Sequence, residues 1–165
     1  MIKHYFTGTI TLFLTSLIVS GLVYANSHAQ EIDQILAQQE EPMGVVFEIV
    51  TGKSNSLDWA LPMVNGYIGK LKKRFPEIEV AIVTHGSEQF ALATSKAKKQ
   101  TKVHSLTQQL NKDGVQLHVC GTHAEWKGLS DEDFPDYVDV ATTGPAQIND
   151  YVAVGYTLVV ISQPN

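Results

Sequence analysis

An α/β domain built on a parallel sheet is predicted by three observations. From Met43 onward, short apolar runs alternate with stretches whose apolar residues recur every three or four positions, the pattern of successive βαβ units. The apolar runs end in small or turn-forming residues, as at Thr51-Gly52 and His85-Gly86, where strands give way to loops. A single Cys among 165 residues rules out an internal disulfide, so a chain of this length must hold itself by a buried core.

The elements follow in order. Val45 to Val50 reads as a first strand closed by Thr51-Gly52. Leu61, Val64, Ile68, Leu71 and Phe75 then form one apolar helix stripe with Asp58 as the expected N-cap, and Lys70, Lys72, Lys73 and Arg74 gather at the C-terminal end, where the helix dipole favours cations. With that cap, Pro62 falls in the first turn, where its missing N–H costs nothing. Glu79 to Thr84 is a second strand, and Ser87 is expected to cap a short helix through Phe90 and Leu92. Val103, Leu106 and Leu110 mark another helix stopped by Gly114, and Val115 to Cys120 is the third strand. Tyr137 to Ala141 is the fourth. Gly144-Pro145 opens a helix with Ile148, Tyr151 and Val152 inward, Gly155 closes it, and Tyr156 to Ile161 is the fifth strand.

The segment ahead of these elements reads differently. Lys3 and His4 precede an uncharged apolar stretch from Ile10 to Val23, and Ser27-His28-Ala29 offers small residues for a cut after Ala29, together a secretory signal over residues 1–29. The rival reading, a retained anchor, is disfavoured because the stretch is shorter than a spanning helix and is diluted by Thr and Ser. A periplasmic or secreted protein with no stable membrane span is therefore expected. Residues 30–43 read as a polar linker or short helical arm outside the core, and residues 44–165 as the domain. A net charge of −5 argues against nucleic acid as a partner.

In a parallel sheet, ligands bind outside the carboxyl ends of the strands. Those ends gather Thr51 to Asn55, Thr84-His85-Gly86, Cys120 to His123 and Thr142-Thr143-Gly144. Cys120 is the one strong nucleophile among them, and His85, His118 and His123 are candidates to tune it, since a nearby imidazolium raises the thiolate fraction. The competing reading is a strand-end Cys that is simply a small buried hydrophobe. Cys120 and His123 also have the spacing of a metal pair, to which copper or zinc is suited, but one sulfur falls short of a structural zinc set. Gly52-Lys53-Ser54 lacks the glycine a phosphate loop requires five residues earlier, where Phe47 stands, and no cofactor is expected. The Lys96, Lys98, Lys99, Lys102 run reads as solvated surface, and Asp131, Glu132, Asp133 and Asp136 as capping and solvation rather than a cation site.

From about Gly44 to Ile161 the chain resembles the DsrE/DsrF-like family of small sulfur-relay proteins. The resemblance is carried by Val45 to Gly52 with Trp59 after it, by Val83-Thr84-His85-Gly86, by Gly114 to Cys120 followed by Gly128-Leu129, and by the closing unit from Gly144 to Tyr156. It implies a three-layer α/β/α fold with a five-stranded parallel sheet, and homo-oligomers such as trimers or hexamers. It also implies that Cys120 accepts and passes on sulfur as a persulfide, with a sulfur donor and an acceptor as partners. A non-catalytic binding or assembly module of the same fold is the alternative, because no full catalytic constellation is legible.

Overall fold

The computed structural model describes residues 27–163, and the apolar stretch from Ile10 to Val23, on which the expected signal rests, lies outside the described residues. The elements are α1 (Ser27–Leu36), β1 (Gly44–Ile49), α2 (Leu57–Arg74), β2 (Glu79–Thr84), a 3-10 segment at Ser87–Leu92, α3 (Thr101–Lys112), β3 (Gln116–Cys120), α4 (Gly121–Glu125), β4 (Asp139–Ala141), α5 (Gly144–Ala153) and β5 (Tyr156–Ile161). The five strands make one sheet in the order β4-β3-β2-β1-β5, and every neighbouring pair is parallel. The α/β/α architecture expected from the sequence is thus the one observed.

Alternation along the strands sorts the side chains onto two faces. Val45, Phe47, Ile49, Val80, Ile82, Leu117, Val119, Val159 and Ile161 join the larger core, packed with residues of α1, α2, α3 and α4. Val46, Ala81 and Val83 face the other way and meet Ile148 and Tyr151 of α5. One face therefore carries several helices and the other carries α5. The chain leaves β3 into α4 on the first face and leaves β4 into α5 on the second. Adjacent strands whose exits diverge leave a crevice at their carboxyl ends, and here that crevice opens beside Cys120.

Several sequence readings are corrected. Residues 30–43 were expected outside the core, yet Ile32 and Ile35 on α1 are 1% and 2% exposed and belong to the main core. Ile32 and Ile35, with Leu36 partly buried beside them, give the helix one apolar face. His28, ahead of the expected cut after Ala29, is buried too, and its Nδ1 lies 3.0 Å from the Tyr67 hydroxyl. Asp58 does not cap α2: the cap is Ser56, and Asp58 lies in the first turn. Pro62 consequently falls deeper in the helix than expected, on an exposed position where water can satisfy the carbonyl its ring leaves free. Ser87 is the first residue of its 3-10 segment, and Gly86 occupies the cap position. The fourth strand is shorter than expected, beginning at Asp139 rather than Tyr137, because Val138 donates its N–H to Pro135 in a turn.

Other local readings hold. Gly114 and Gly155 have φ of 80° and 99° and end α3 and α5, the left-handed conformation a helix terminus needs. Pro145 lies in the first turn of α5, whose cap Thr143 accepts a hydrogen bond from the Ala146 N–H. The acidic stretch after α4 forms a capping box between Ser130 and Asp133. Among the described residues no helix is long and apolar enough to cross a membrane.

Candidate functional site

The crevice at the end of β3 is a cavity of about 400 Å³ walled by His85, Cys120, Thr122, His123, Trp126, Thr143 and Pro145. Three strand ends build it. His85 follows β2, Cys120 ends β3, and Thr143 and Pro145 follow β4 at the start of α5. A comparable cavity between α2 and α3, lined by Leu57, Leu61 and Val103 with Asp58 and Lys102, carries no thiol.

Cys120 is a free thiol, 6% exposed. It is thus buried as a residue while contributing to the cavity wall. Its peptide is held by a side chain the sequence analysis did not single out. The fully buried Gln89 accepts from the Cys120 N–H at 2.7 Å through Oε1, and its Nε2 donates to the Cys120 carbonyl at 3.4 Å. An amide side chain here substitutes for a neighbouring strand's backbone at the point where the ladder ends.

Glu88, next to it, does the equivalent for the other two strand ends. Its fully buried carboxylate accepts from the Thr51 N–H and hydroxyl, each at 2.8 Å, and from the Thr84 hydroxyl and Gly86 N–H, each at 2.7 Å. Four donors on one carboxylate satisfy a buried charge as fully as its oxygens allow. The available signal was the pair of polar residues directly after a strand-end glycine and before the apolar Phe90-Ala91-Leu92. Periodicity does not reveal what such residues bond to.

The three histidines named from the sequence separate. His85 and His123 both line the cavity. His85 Nε2 donates to Glu48 Oε1 at 2.8 Å, and His123 Nδ1 donates to the His85 carbonyl at 2.9 Å. The His123 ring meets Phe90 edge to face and tilts against Trp126. Trp126 itself is 77% exposed and forms the rim. His118 shares the face of Cys120, as strand alternation required, but it is not among the cavity residues. It is 8% exposed, with Nε2 2.8 Å from the Tyr151 hydroxyl, which in turn donates to Gln116.

Burial lowers the His118 pKa below its ordinary 6.5, and the Asp139 carboxylate opposes that only in part. The unfolded ring therefore binds a proton more readily than the folded one. Stability is complete above about pH 6.5 and is lost as pH falls toward the lowered folded value. The melting temperature is expected to drop as pH falls below 6.5, and less so in His118→Gln. Equal pH slopes in the two proteins would contradict this.

No group of three or more His, Cys, Asp or Glu side chains stands together as metal ligands among the described residues. Among the described residues the Cys120 and His123 pair thus belongs to no three-ligand group of the kind zinc requires.

Comparison with known proteins places this architecture. Three solved structures share the fold. The protein of unknown function MTH1491 from Methanobacterium thermoautotrophicum aligns with a TM-score of 0.56 at 17% identity, covering 71% of this chain and 97% of that one. The ychN protein from E. coli aligns at 0.52 and 13% identity over 72% of this chain and all of its own. The conserved protein of unknown function BT1422 from Bacteroides thetaiotaomicron gives 0.50 and 16% identity over 70% of this chain and 94% of that one. No curated protein matches the chain. The model of the DsrE/DsrF-like family matches residues 44–161, which is the whole sheet with every helix except α1. The chain belongs to the DsrE/DsrF-like family, a membership that points to a sulfur-relay-type function.

Proposed function

We infer that this protein is a periplasmic sulfur carrier that holds sulfur as a persulfide on Cys120. The observation that carries the reading is the placement of its one thiol in the wall of a cavity shared with two imidazoles. A thiolate there attacks the outer sulfur of a persulfide donor and releases the donor thiol. A second thiol later takes the sulfur away by the same exchange. The rim of Trp126 and Pro145 supplies apolar surface for a donor with an alkyl or peptide body.

The export reading belongs to this proposal. A cut after Ala29 releases the mature protein, and it removes His28 together with its contact to the Tyr67 hydroxyl. The working form is a homo-oligomer, a trimer or hexamer, as the family resemblance implies.

The deciding experiment records intact mass after exposure to an alkyl persulfide. The wild-type protein is expected to gain one sulfur atom and to lose it on reduction, and Cys120→Ser to gain none. A wild-type protein that takes up no sulfur, or a Cys120→Ser variant that still does, would overturn the carrier reading and favour a binding module.

A further inference from the structure

Glu48 is an unexpected residue for its position. It lies on β1, a strand with a neighbour on either side, paired to Val83 of β2 and Val160 of β5. The other side chains of β1 between Val45 and Ile49 are apolar and fully buried. A carboxylate side chain only 19% exposed carries a desolvation cost that a leucine would not. Its one hydrogen bond is to His85 Nε2, at 2.8 Å. The sequence separation is 37 residues, so the parallel register of β1 and β2 creates the pair: Ile49 is opposite Thr84, and His85 comes next.

The His85 ring has little freedom. The backbone N–H of His85 donates to the Ile49 carbonyl at 3.2 Å, which anchors the base of the side chain. On the opposite side Gly144 approaches so closely that a Cβ there would stand 2.5 Å from the His85 Cβ. With the ring confined and Nε2 held by Glu48, the remaining nitrogen, Nδ1, has no hydrogen-bond partner in the protein among the described residues.

We propose that Glu48 is a positioning residue for sulfur transfer: it fixes the His85 ring with its proton on Nε2 and leaves Nδ1 as the base that serves Cys120. A carboxylate accepts and never donates, so this one contact selects the tautomer. The logic is that of a buried carboxylate orienting a catalytic histidine, in which the carboxylate touches neither substrate nor nucleophile. The inference rests on the carrier reading and supplies its proton inventory.

The step balances without an oxidant. His85 Nδ1 takes the Cys120 thiol proton, giving thiolate and an imidazolium paired with Glu48. The thiolate forms a bond to the outer sulfur of an alkyl persulfide, and the donor's own sulfur–sulfur bond breaks. The electron pair leaves on the donor thiolate, which takes the proton back from Nδ1. The products are the Cys120 persulfide and the donor thiol. Sulfur moves with no net redox change.

The test compares wild type, Glu48→Ala, Glu48→Gln and His85→Asn. Nitrogen-15 NMR of the imidazole reads the tautomer in the first three. Single-turnover mass spectrometry with cysteine persulfide reads the transfer rate in all four. Wild type is expected to carry its His85 proton on Nε2, and Glu48→Ala to show mixed tautomers with a transfer rate roughly tenfold lower. His85→Asn should lose about a hundredfold, the lower range for a general base. A glutamine can accept or donate, so the Glu48→Gln rate should follow whichever tautomer its spectrum reports. A wild-type ring protonated at Nδ1, or a folded Glu48→Ala protein with the wild-type rate, would overturn the inference.

Alkylation of Cys120 by iodoacetamide separates this inference from the carrier reading, because it needs the same deprotonation and no sulfur donor. If wild type takes up no sulfur while alkylation falls in Glu48→Ala, the carrier reading fails and the positioning role stands. If sulfur loads and neither rate responds to Glu48, the reverse holds. Should Glu48→Ala fail to fold, the wild-type tautomer and the Glu48→Gln comparison still decide the matter.

Discussion

Replacing Glu88 by Ala is expected to cost about 3–5 kcal/mol of folding stability, read from the denaturation midpoint at an unchanged slope. The carboxylate is fully buried and serves four donors from three segments: the end of β1, the end of β2 and the turn at Gly86. Removing it leaves two backbone N–H groups and the Thr84 hydroxyl without their acceptor, while the Thr51 hydroxyl keeps the Lys53 carbonyl at 3.2 Å. Each orphaned buried donor costs about 1–3 kcal/mol, and the sum is less than additive because the loops can relax toward water. Glu88→Gln should lose less than Glu88→Ala, since one oxygen survives, but its amide nitrogen would then confront donors. A Glu88→Ala protein with the wild-type midpoint would show that these loops are held by packing instead.

Gln89→Ala is expected to damage the site itself. The amide is the Cys120 peptide's partner at both its N–H and its carbonyl, so the substitution strands a buried donor at a cost of about 1–3 kcal/mol. The functional loss should exceed what that figure implies. Displacement of a reacting group by about 1 Å can slow a reaction by a hundredfold, and Cys120 stands at the last residue of its strand, where β4 pairing through Ala141 is its remaining ladder contact. Sulfur loading of Gln89→Ala, measured well below its unfolding temperature, should fall tenfold to a hundredfold. Loading at the wild-type rate would mean that the β3–β4 ladder alone fixes the thiol.

Much of the architecture was legible because it is local. The fifth strand falls at Tyr156–Ile161 as read, and the glycines that end α3 and α5 have the positive φ their positions required. The failures are also physical. α1 looked like solvent-exposed chain because two isoleucines among polar residues carry a weak signal, yet both are buried. Asp58 and Ser87 looked like caps because their residue types favour caps, whereas α2 begins earlier, at Leu57, and Ser87 is itself the first residue of its 3-10 segment, with Gly86 at the cap position. α4, immediately after Cys120, is too short to show a period.

The sequence by itself determined the alternation of strands and helices, the faces that alternation assigns, and the presence of Cys120 and His85 at strand ends, since each depends on neighbours a few residues away. Tertiary structure alone decided which groups meet. His118 and Cys120 lie two residues apart on one face, but His118 is drawn to Tyr151, 33 residues away. His85 reaches Glu48 across the β1–β2 register, and Gln89 clasps Cys120 from 31 residues away. The cause is that strand order and register, not sequence proximity, set the distances between side chains. A parallel sheet brings its strand ends to one edge, and the chemistry of that edge depends on pairings no local period encodes.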